Sequence, residues 1–187
     1  MFVIRKIWQF LIDTIQSILI AAAVFLVIYI FLFRPFQVNG ESMFPNFHNN
    51  EYVLTNLVSL RFGSPVKGDV IVFKAPPDPE KDFIKRVVGV PGDTVMVKDS
   101  SVFVNGQPYN ESLYLNSDVK TYGGTFLKDG DTVTVPDNEY FVMGDNRPYS
   151  SDSREWGFVP TGNVIGKSFF VYWPLNELRG VSNPFTK

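Results

Sequence analysis

Cysteine is absent from the 187-residue chain, and histidine occurs once, at His48. The first absence excludes disulfides, thiolate metal sites and thiol nucleophiles together. The second excludes clustered-histidine metal centres and leaves one imidazole that could serve a serine as base. No metal or other cofactor is called for. Positive charge is not in surplus either: 17 Lys+Arg stand against 19 Asp+Glu, a net charge of −2. A phosphate backbone finds no basic surface to neutralise it, which argues against nucleic acid as a partner. Glycine and proline are missing from residues 1–33, although the chain holds 14 and 13 of them. Two parts of different physical character therefore meet near Arg34-Pro35.

From Thr14 to Phe33 the chain runs for twenty residues without a charge. About twenty apolar residues in a helix span the hydrocarbon core of a bilayer. Arg5 and Lys6 precede the run, with the terminal amine, and only Arg34 follows closely. That asymmetry favours a cytoplasmic N-terminus and an extracytoplasmic remainder. A cleavable signal peptide would have a shorter apolar stretch of about 7–15 residues and a small-residue cleavage site after it. Here Ala21-Ala22-Ala23 lies inside the run, and the exit reads Phe33-Arg34-Pro35-Phe36. Residues 1–34 are read as a cytoplasmic N-terminus and single-pass anchor in the cell membrane. Residues 35–187 form an extracytoplasmic domain, with a smaller inserted subregion at about 94–139.

Beyond the anchor, short extended segments alternate with turn chemistry. Gly68–Phe73, Phe83–Val90, Ser101–Val104, Thr125–Leu127, Thr132–Val135, Glu139–Met143 and Lys167–Trp173 read as strands. Asn105-Gly106 is a hairpin turn signal, and Asp129-Gly130 separates two further segments. Ala75 to Lys81 contains Pro76, Pro77 and Pro79, so it is expected to be an exposed loop. The fold class is mainly β: a transmembrane helix followed by antiparallel sheet, or a partly closed barrel.

Three segments carry more chemistry than folding requires: Gly40–Pro45, Lys85–Asp93 and Gly144–Arg154. A serine hydroxyl needs a base. His48 lies six residues from Ser42, but no orienting partner for it is evident. A lysine can serve instead if burial brings its amine toward neutrality. Strand alternation puts Lys85 on the same face as Phe83 and Val87, with Arg86 on the other. Asp145 and Asp152 offer a rival acid–base pair of the glycosidase kind. Both lie among Arg147 and Arg154, so charge pairing that shapes the loop is the favoured role.

Taken together, Ser42-Met43-x-Pro45, Lys85-Arg86-Val87-x-Gly89-x-Pro91-Gly92-Asp93 and Gly144-Asp145-Asn146-Arg147-x-x-Ser150-x-Asp152-Ser153-Arg154 resemble the successive boxes of bacterial type I signal peptidases. The anchor, the Arg34-Pro35-Phe36 exit and Val171-Tyr172-Trp173-Pro174 fit the same resemblance. The small insertion and single anchor resemble the Gram-positive branch. The resemblance implies a serine endopeptidase that removes signal peptides from exported preproteins at small-x-small sites. Ser42 would be its nucleophile and Lys85 its general base. It implies that Ser150 hydrogen-bonds and orients the lysine amine, and that Asp145, Arg147, Asp152 and Arg154 hold the loop. Phe36, Val38 and Ile84 match positions lining shallow substrate pockets, and equally suit an ordinary core. Gly40 stands where another branch carries a hydroxyl donor, which leaves the Ser42 backbone N–H with more of the oxyanion stabilisation. Expected partners are preprotein signal peptides, the lipid bilayer and, by proximity, the translocation machinery. Trp156 and Trp173 belong either to the core or to the membrane interface.

The alternative is a tethered β-domain that binds extended peptides without cutting them. A self-cleaving regulator of related chemistry would need a DNA-binding or sensor module for which the chain has no room.

Overall fold

The computed structural model describes residues 2–58, 60 and 63–186. Met1, whose amine entered the charge asymmetry, lies outside them, as does Lys187. A single helix, α1 (Phe2–Leu32), leads directly into strand β1 (Phe33–Gln37). Pro35 has no amide proton and disfavours helical geometry at Arg34, so the helix stops before them, at Leu32. The helix starts earlier than the uncharged run, and carries Arg5, Lys6 and Asp13 within it. Its stretch Ile4–Val27 has a mean hydropathy of 2.2 and is long and apolar enough to cross a membrane. Inside it the Thr14 and Ser17 hydroxyls donate to the carbonyls of Phe10 and Asp13, both at 2.8 Å. Each hydroxyl is thereby satisfied without a partner outside the helix.

The remaining strands are β2 (Tyr52–Asn56), β3 (Val70–Ala75), β4 (Asp78–Gly89), β5 (Thr94–Lys98), β6 (Ser101–Val104), β7 (Gln107–Pro108), β8 (Thr132–Thr134), β9 (Glu139–Met143), β10 (Val159–Pro160), β11 (Val164–Trp173) and β12 (Arg179–Gly180). All pairings are antiparallel. The larger sheet runs β1-β2-β11-β3-β4-β9-β10, with β12 on β11, and the smaller runs β7-β6-β5-β8. Neither sheet closes into a barrel, because the terminal strands do not pair with one another. The open form leaves β1 as an edge strand.

Local chemistry explains most of these elements. Asn105 and Gly106 both adopt positive φ, at 55° and 73°, which is the geometry of the two-residue turn joining β6 to β7. Two sequence expectations change. Asp78–Lys81 belongs to β4 rather than to a loop. The register shifts between Lys74↔Asp82 and Ala75↔Asp78, so Pro79 sits in a bulge where no ladder donor is needed. Thr125–Leu127 is not a strand, since the amides of Phe126 and Leu127 turn to the Arg154 carbonyl. Strands β1 and β2 supply the edge of the larger sheet; Phe36-Gln37-Val38-Asn39 reads from the sequence as an extended apolar edge, whereas nothing in the sequence pattern singled out β2.

Three apolar clusters make the core. One joins the two sheets through Val88, Val95, Val97, Phe141 and Met143. A second holds Ile71, Phe73, Val87 and Tyr140, with Trp156 packed against it. The third gathers Val38, Met43, Phe47, Val53, Val70 and Val171, and supports Phe36 and Ile84. Met43 is 1% exposed and follows Ser42 in the chain. Its burial stabilises by about 1.5–3 kcal/mol and pins the serine-bearing turn to the sheet.

Candidate active site

Ser42 stands in the segment that leaves β1 and returns to β2. Val38 N–H donates to the Glu51 carbonyl at 2.7 Å, and Asn50 N–H returns to Val38 at 2.8 Å. The ends of the segment are thus tied together. At its tip Gly40 has φ +94°, a left-handed conformation that favours glycine, and its N–H donates to Asn49 Oδ1 at 2.9 Å. Phe44 N–H closes the turn on the Glu41 carbonyl at 3.1 Å.

Lys85 comes from β4, where the alternation read from the sequence holds. Its Nζ lies 5.2 Å from the Phe83 ring centroid, and the residue is 4% exposed. The amine donates to Ser42 Oγ at 2.6 Å and to the Ile84 carbonyl at 3.1 Å. Burial pushes its pKa down to about 8, against the opposing pull of Asp152 and Asp145. Serine and lysine, 43 positions apart in the chain, therefore share one short hydrogen bond.

The Gly144–Arg154 loop lies beside this pair as a buried ionic network. Asp145 accepts from Arg86 Nε and Nη2 at 2.8 and 2.6 Å, and from Asn46 Nδ2 at 2.8 Å. Asp152 caps the short helix Ser153–Trp156, accepts from Arg154 Nε and Nη2 at 2.8 Å each, and receives the Gly144 N–H at 3.0 Å. Arg147 reaches the Gly144 carbonyl, the Thr121 hydroxyl and Glu111. Arg154 Nη2 donates to the Arg147 carbonyl at 2.7 Å. Both carboxylates are fully engaged with guanidinium groups, which fits loop shaping and not acid–base exchange.

Ser150 is placed differently from the expectation. Among the described residues its buried Oγ has no hydrogen-bond partner, so the anticipated bond to Lys85 is not made. The amine turns to Ser42 and Ile84 instead. The Ser150 hydroxyl lies over Gly144, where a Cβ on Gly144 would strike both it and the Ser42 carbonyl.

A cleft of about 780 Å³ opens beside the serine and lysine, and Phe36, Val38 and Ile84 line it together with Gly40 and the highly exposed Tyr149. The same three apolar residues belong to or pack on the third core cluster, so core and cleft wall are one surface. His48 faces elsewhere. Its Nδ1 lies 3.2 Å from Glu51, and the ring lines a separate cavity with Trp173 and Pro174. Trp156 is a core residue 6.2 Å from the Phe73 ring, whereas Trp173 is half exposed.

The family described as signal peptidase, peptidase S26, matches residues 11–173. The chain belongs to this family. Among its relatives are Staphylococcus aureus signal peptidase IB, 34% identical over 185 residues and covering 93% of this chain and 95% of that one. Bacillus subtilis signal peptidase I S is 39% identical over 169 residues, 88% of this chain and 90% of the relative. A crystal structure of a signal peptidase I from Enterococcus faecalis aligns at 32% identity with a TM-score of 0.46, covering 56% of this chain and 97% of that one. The Gram-positive affinity read from the single anchor and the small insertion accords with the Staphylococcus and Bacillus relatives.

Four contributors to the candidate site carried no role in the sequence reading. Arg86 and Asn46 neutralise and hold Asp145. Asn146 binds the serine turn from the facing loop. Arg179 clamps the buried Glu51 at 2.8 and 2.6 Å and donates to the Asn46 carbonyl. Arg86 and Asn146 sat within recognisable boxes. Nothing local marked Asn46 or Arg179, whose partners are up to 133 positions away.

Proposed function

We propose that this chain is a membrane-anchored serine endopeptidase that removes N-terminal signal peptides from exported preproteins, with Ser42 as nucleophile and Lys85 as general base. The observation that carries the reading is the 2.6 Å contact between Ser42 Oγ and the buried Lys85 Nζ. With its pKa brought down to about 8, a useful fraction of the amine is neutral near physiological pH. The neutral amine takes the Ser42 proton as Oγ bonds to the scissile carbonyl carbon. The resulting ammonium returns that proton to the leaving amine as the C–N bond breaks. Lysine then deprotonates a water, which attacks the acyl-serine ester; the ammonium returns that proton to Ser42 Oγ as the acyl C–O bond breaks, and the signal peptide leaves with a C-terminal carboxylate.

Family membership and the names of the relatives support the signal-peptide substrate class. The free edge of β1 beside the cleft supports binding of the substrate as an added strand. Walls of Phe36, Val38 and Ile84 that double as core leave shallow room, consistent with small residues at the first and third positions before the cut. Asp145, Arg147, Asp152 and Arg154 hold the loop that faces the pair, and Ser150 lies within it. In this reading residues 1–34 anchor the chain with the N-terminus cytoplasmic. Residues 35–187 work outside, near where the translocation machinery delivers substrates, and about 94–139 form an inserted subregion. The apolar helix and the family support the anchoring.

The test is cleavage of a purified secretory preprotein by the full chain in detergent, beside Ser42→Ala and Lys85→Ala. Both variants are expected to fold and to lose cleavage. Cleavage by Lys85→Ala would move the base elsewhere, and cleavage by Ser42→Ala would end the proposal.

A further inference from the structure

An oxyanion hole built on a backbone N–H is only as good as the orientation of the peptide that carries it. The peptide in question joins Glu41 to Ser42. One residue earlier stands Gly40, at φ +94° and with no atom within 4 Å of where a Cβ would stand, so the chain entering this turn has little steric restraint of its own.

Asn146 supplies the restraint from across the site. Its Nδ2 donates to the Glu41 carbonyl at 3.0 Å, and its backbone N–H donates to the Ser42 carbonyl at 3.0 Å. The peptides before and after Ser42 are therefore both held by one residue, 104 positions away from the serine. The other donor to Glu41, the Phe44 N–H, belongs to the same turn and would move with it. Asn146 does not move with it, because its neighbour Asp145 is locked to Arg86 and Arg147 is fully buried. In a trans peptide the C=O and N–H point in opposite directions. Fixing the Glu41 carbonyl toward Asn146 turns the Ser42 N–H the other way. Among the described residues that N–H has no acceptor, and Ser42 lines the cleft.

We propose that Asn146 is a positioning residue for the oxyanion hole: its side-chain amide anchors the Glu41 carbonyl and so aims the Ser42 N–H at the substrate oxyanion. The inference rests on the reading of Ser42 as nucleophile. It assigns the side chain a role separate from that of the lysine, because the bond it makes is to the turn and not to Nζ.

The experiment compares the full-length chain in detergent with Asn146→Ala and with Asn146→Asp, which keeps the shape but replaces the donor by an acceptor. A preprotein-derived peptide serves as substrate. A peptide aldehyde ending in alanine reports the hole, since its hemiacetal oxygen occupies it, and the corresponding product peptide reports ground-state binding. Loss of one oxyanion donor costs about 100- to 1,000-fold in turnover, so misaiming it is expected to lower kcat about 10- to 100-fold. KM and product affinity should stay within about threefold, and the aldehyde should weaken in parallel with kcat/KM. In Asn146→Ala, which adds no charge, the midpoint of the acid limb should stay at the wild-type value. Activity within about twofold of wild type, a loss confined to KM, unchanged aldehyde affinity, or an acid limb shifted in Asn146→Ala would each overturn the proposal. If Asn146→Ala does not fold, Asn146→Asp gives the kcat, KM and aldehyde readouts, and unfolding of both overturns the assignment in favour of a purely structural role. A Ser42→Ala control that still cleaves would instead remove the nucleophile reading on which the inference stands.

Discussion

Arg86 and Asp145 face each other in a two-point contact, Nε to Oδ1 at 2.8 Å and Nη2 to Oδ2 at 2.6 Å, with both side chains almost wholly buried. The arginine is the strand neighbour of Lys85 and points to the opposite face. Its role is electrostatic as well as architectural. Asp145 and Asp152 both pull the Lys85 pKa upward. Each is covered by a guanidinium, Arg86 on one and Arg154 on the other, and desolvation of the amine prevails.

The pH dependence of cleavage follows from that balance. Only the neutral amine accepts the serine proton, so kcat/KM is expected to rise about tenfold per pH unit on the acid side and to level off above about 8. A pH–rate profile of the detergent-solubilised chain checks this. A midpoint near the ordinary imidazole value of about 6.5 would redirect attention to His48.

Stability should show the same lysine with the opposite bias. The unfolded chain holds the Lys85 proton up to about 10.5, the folded chain only up to about 8. Unfolding therefore takes up a proton between these values, and wild-type stability rises with pH across that window. Below about 8 the difference amounts to about 3 kcal/mol, at about 1.4 kcal/mol per unit. Lys85→Met, which loses the bond to Ser42 but escapes this cost, is expected to be more stable than wild type by about 2–3 kcal/mol at pH 7. The gap should close as pH approaches 10.5. Denaturant melts at a series of pH values would refute the account if the methionine variant were the weaker one at neutral pH.

Asp145→Asn removes the charge that Arg86 needs without changing shape. An unpaired buried guanidinium is expected to cost about 3–5 kcal/mol of stability. Because Asp145 pulls the lysine pKa upward, the acid limb of the surviving activity should move to lower pH. Chemical denaturation and the pH–rate profile give the two readings, and a shift to higher pH would contradict the electrostatic role.

Gly144→Ala tests the closeness of the loop to the nucleophile turn. The new methyl would meet the Ser42 carbonyl and the Ser150 hydroxyl, so the loop and turn must separate. Overpacking of this kind costs about 1–3 kcal/mol. A displacement of about 1 Å at a reacting serine is expected to lower kcat/KM about 100-fold. Wild-type kinetics in this variant would mean that the site tolerates more freedom than its packing suggests.

Much of the site was legible because short motifs hold chemistry that alternation can interpret. The pattern around Lys85 placed it with Phe83 and Val87 on one face, and burial of the amine followed from that placement. Asn105-Gly106 declared its turn because only a few residues accept two successive positive φ values. By contrast, Pro79 argued against a strand, and the bulge in β4 overruled it. Thr125–Leu127 looked extended by composition, but its amides found the Arg154 carbonyl.

By itself, the sequence determined the apolar N-terminal helix, the mainly antiparallel architecture, and the choice of serine, lysine and paired charges. Those depend on composition, periodicity and local spacing, which a linear chain displays. The motif resemblance named Ser42 and Lys85 together, and the tertiary structure supplied their contact and left His48 aside; it alone decided that Ser150 leaves its hydroxyl unpartnered and that Asn146 grips the serine turn. It also decided that the sheet stays open at β1. The physical reason is the same in each case. A hydrogen bond or a register between residues some forty to more than a hundred positions apart is selected by the packing of the whole core, and no window of sequence contains both of its ends.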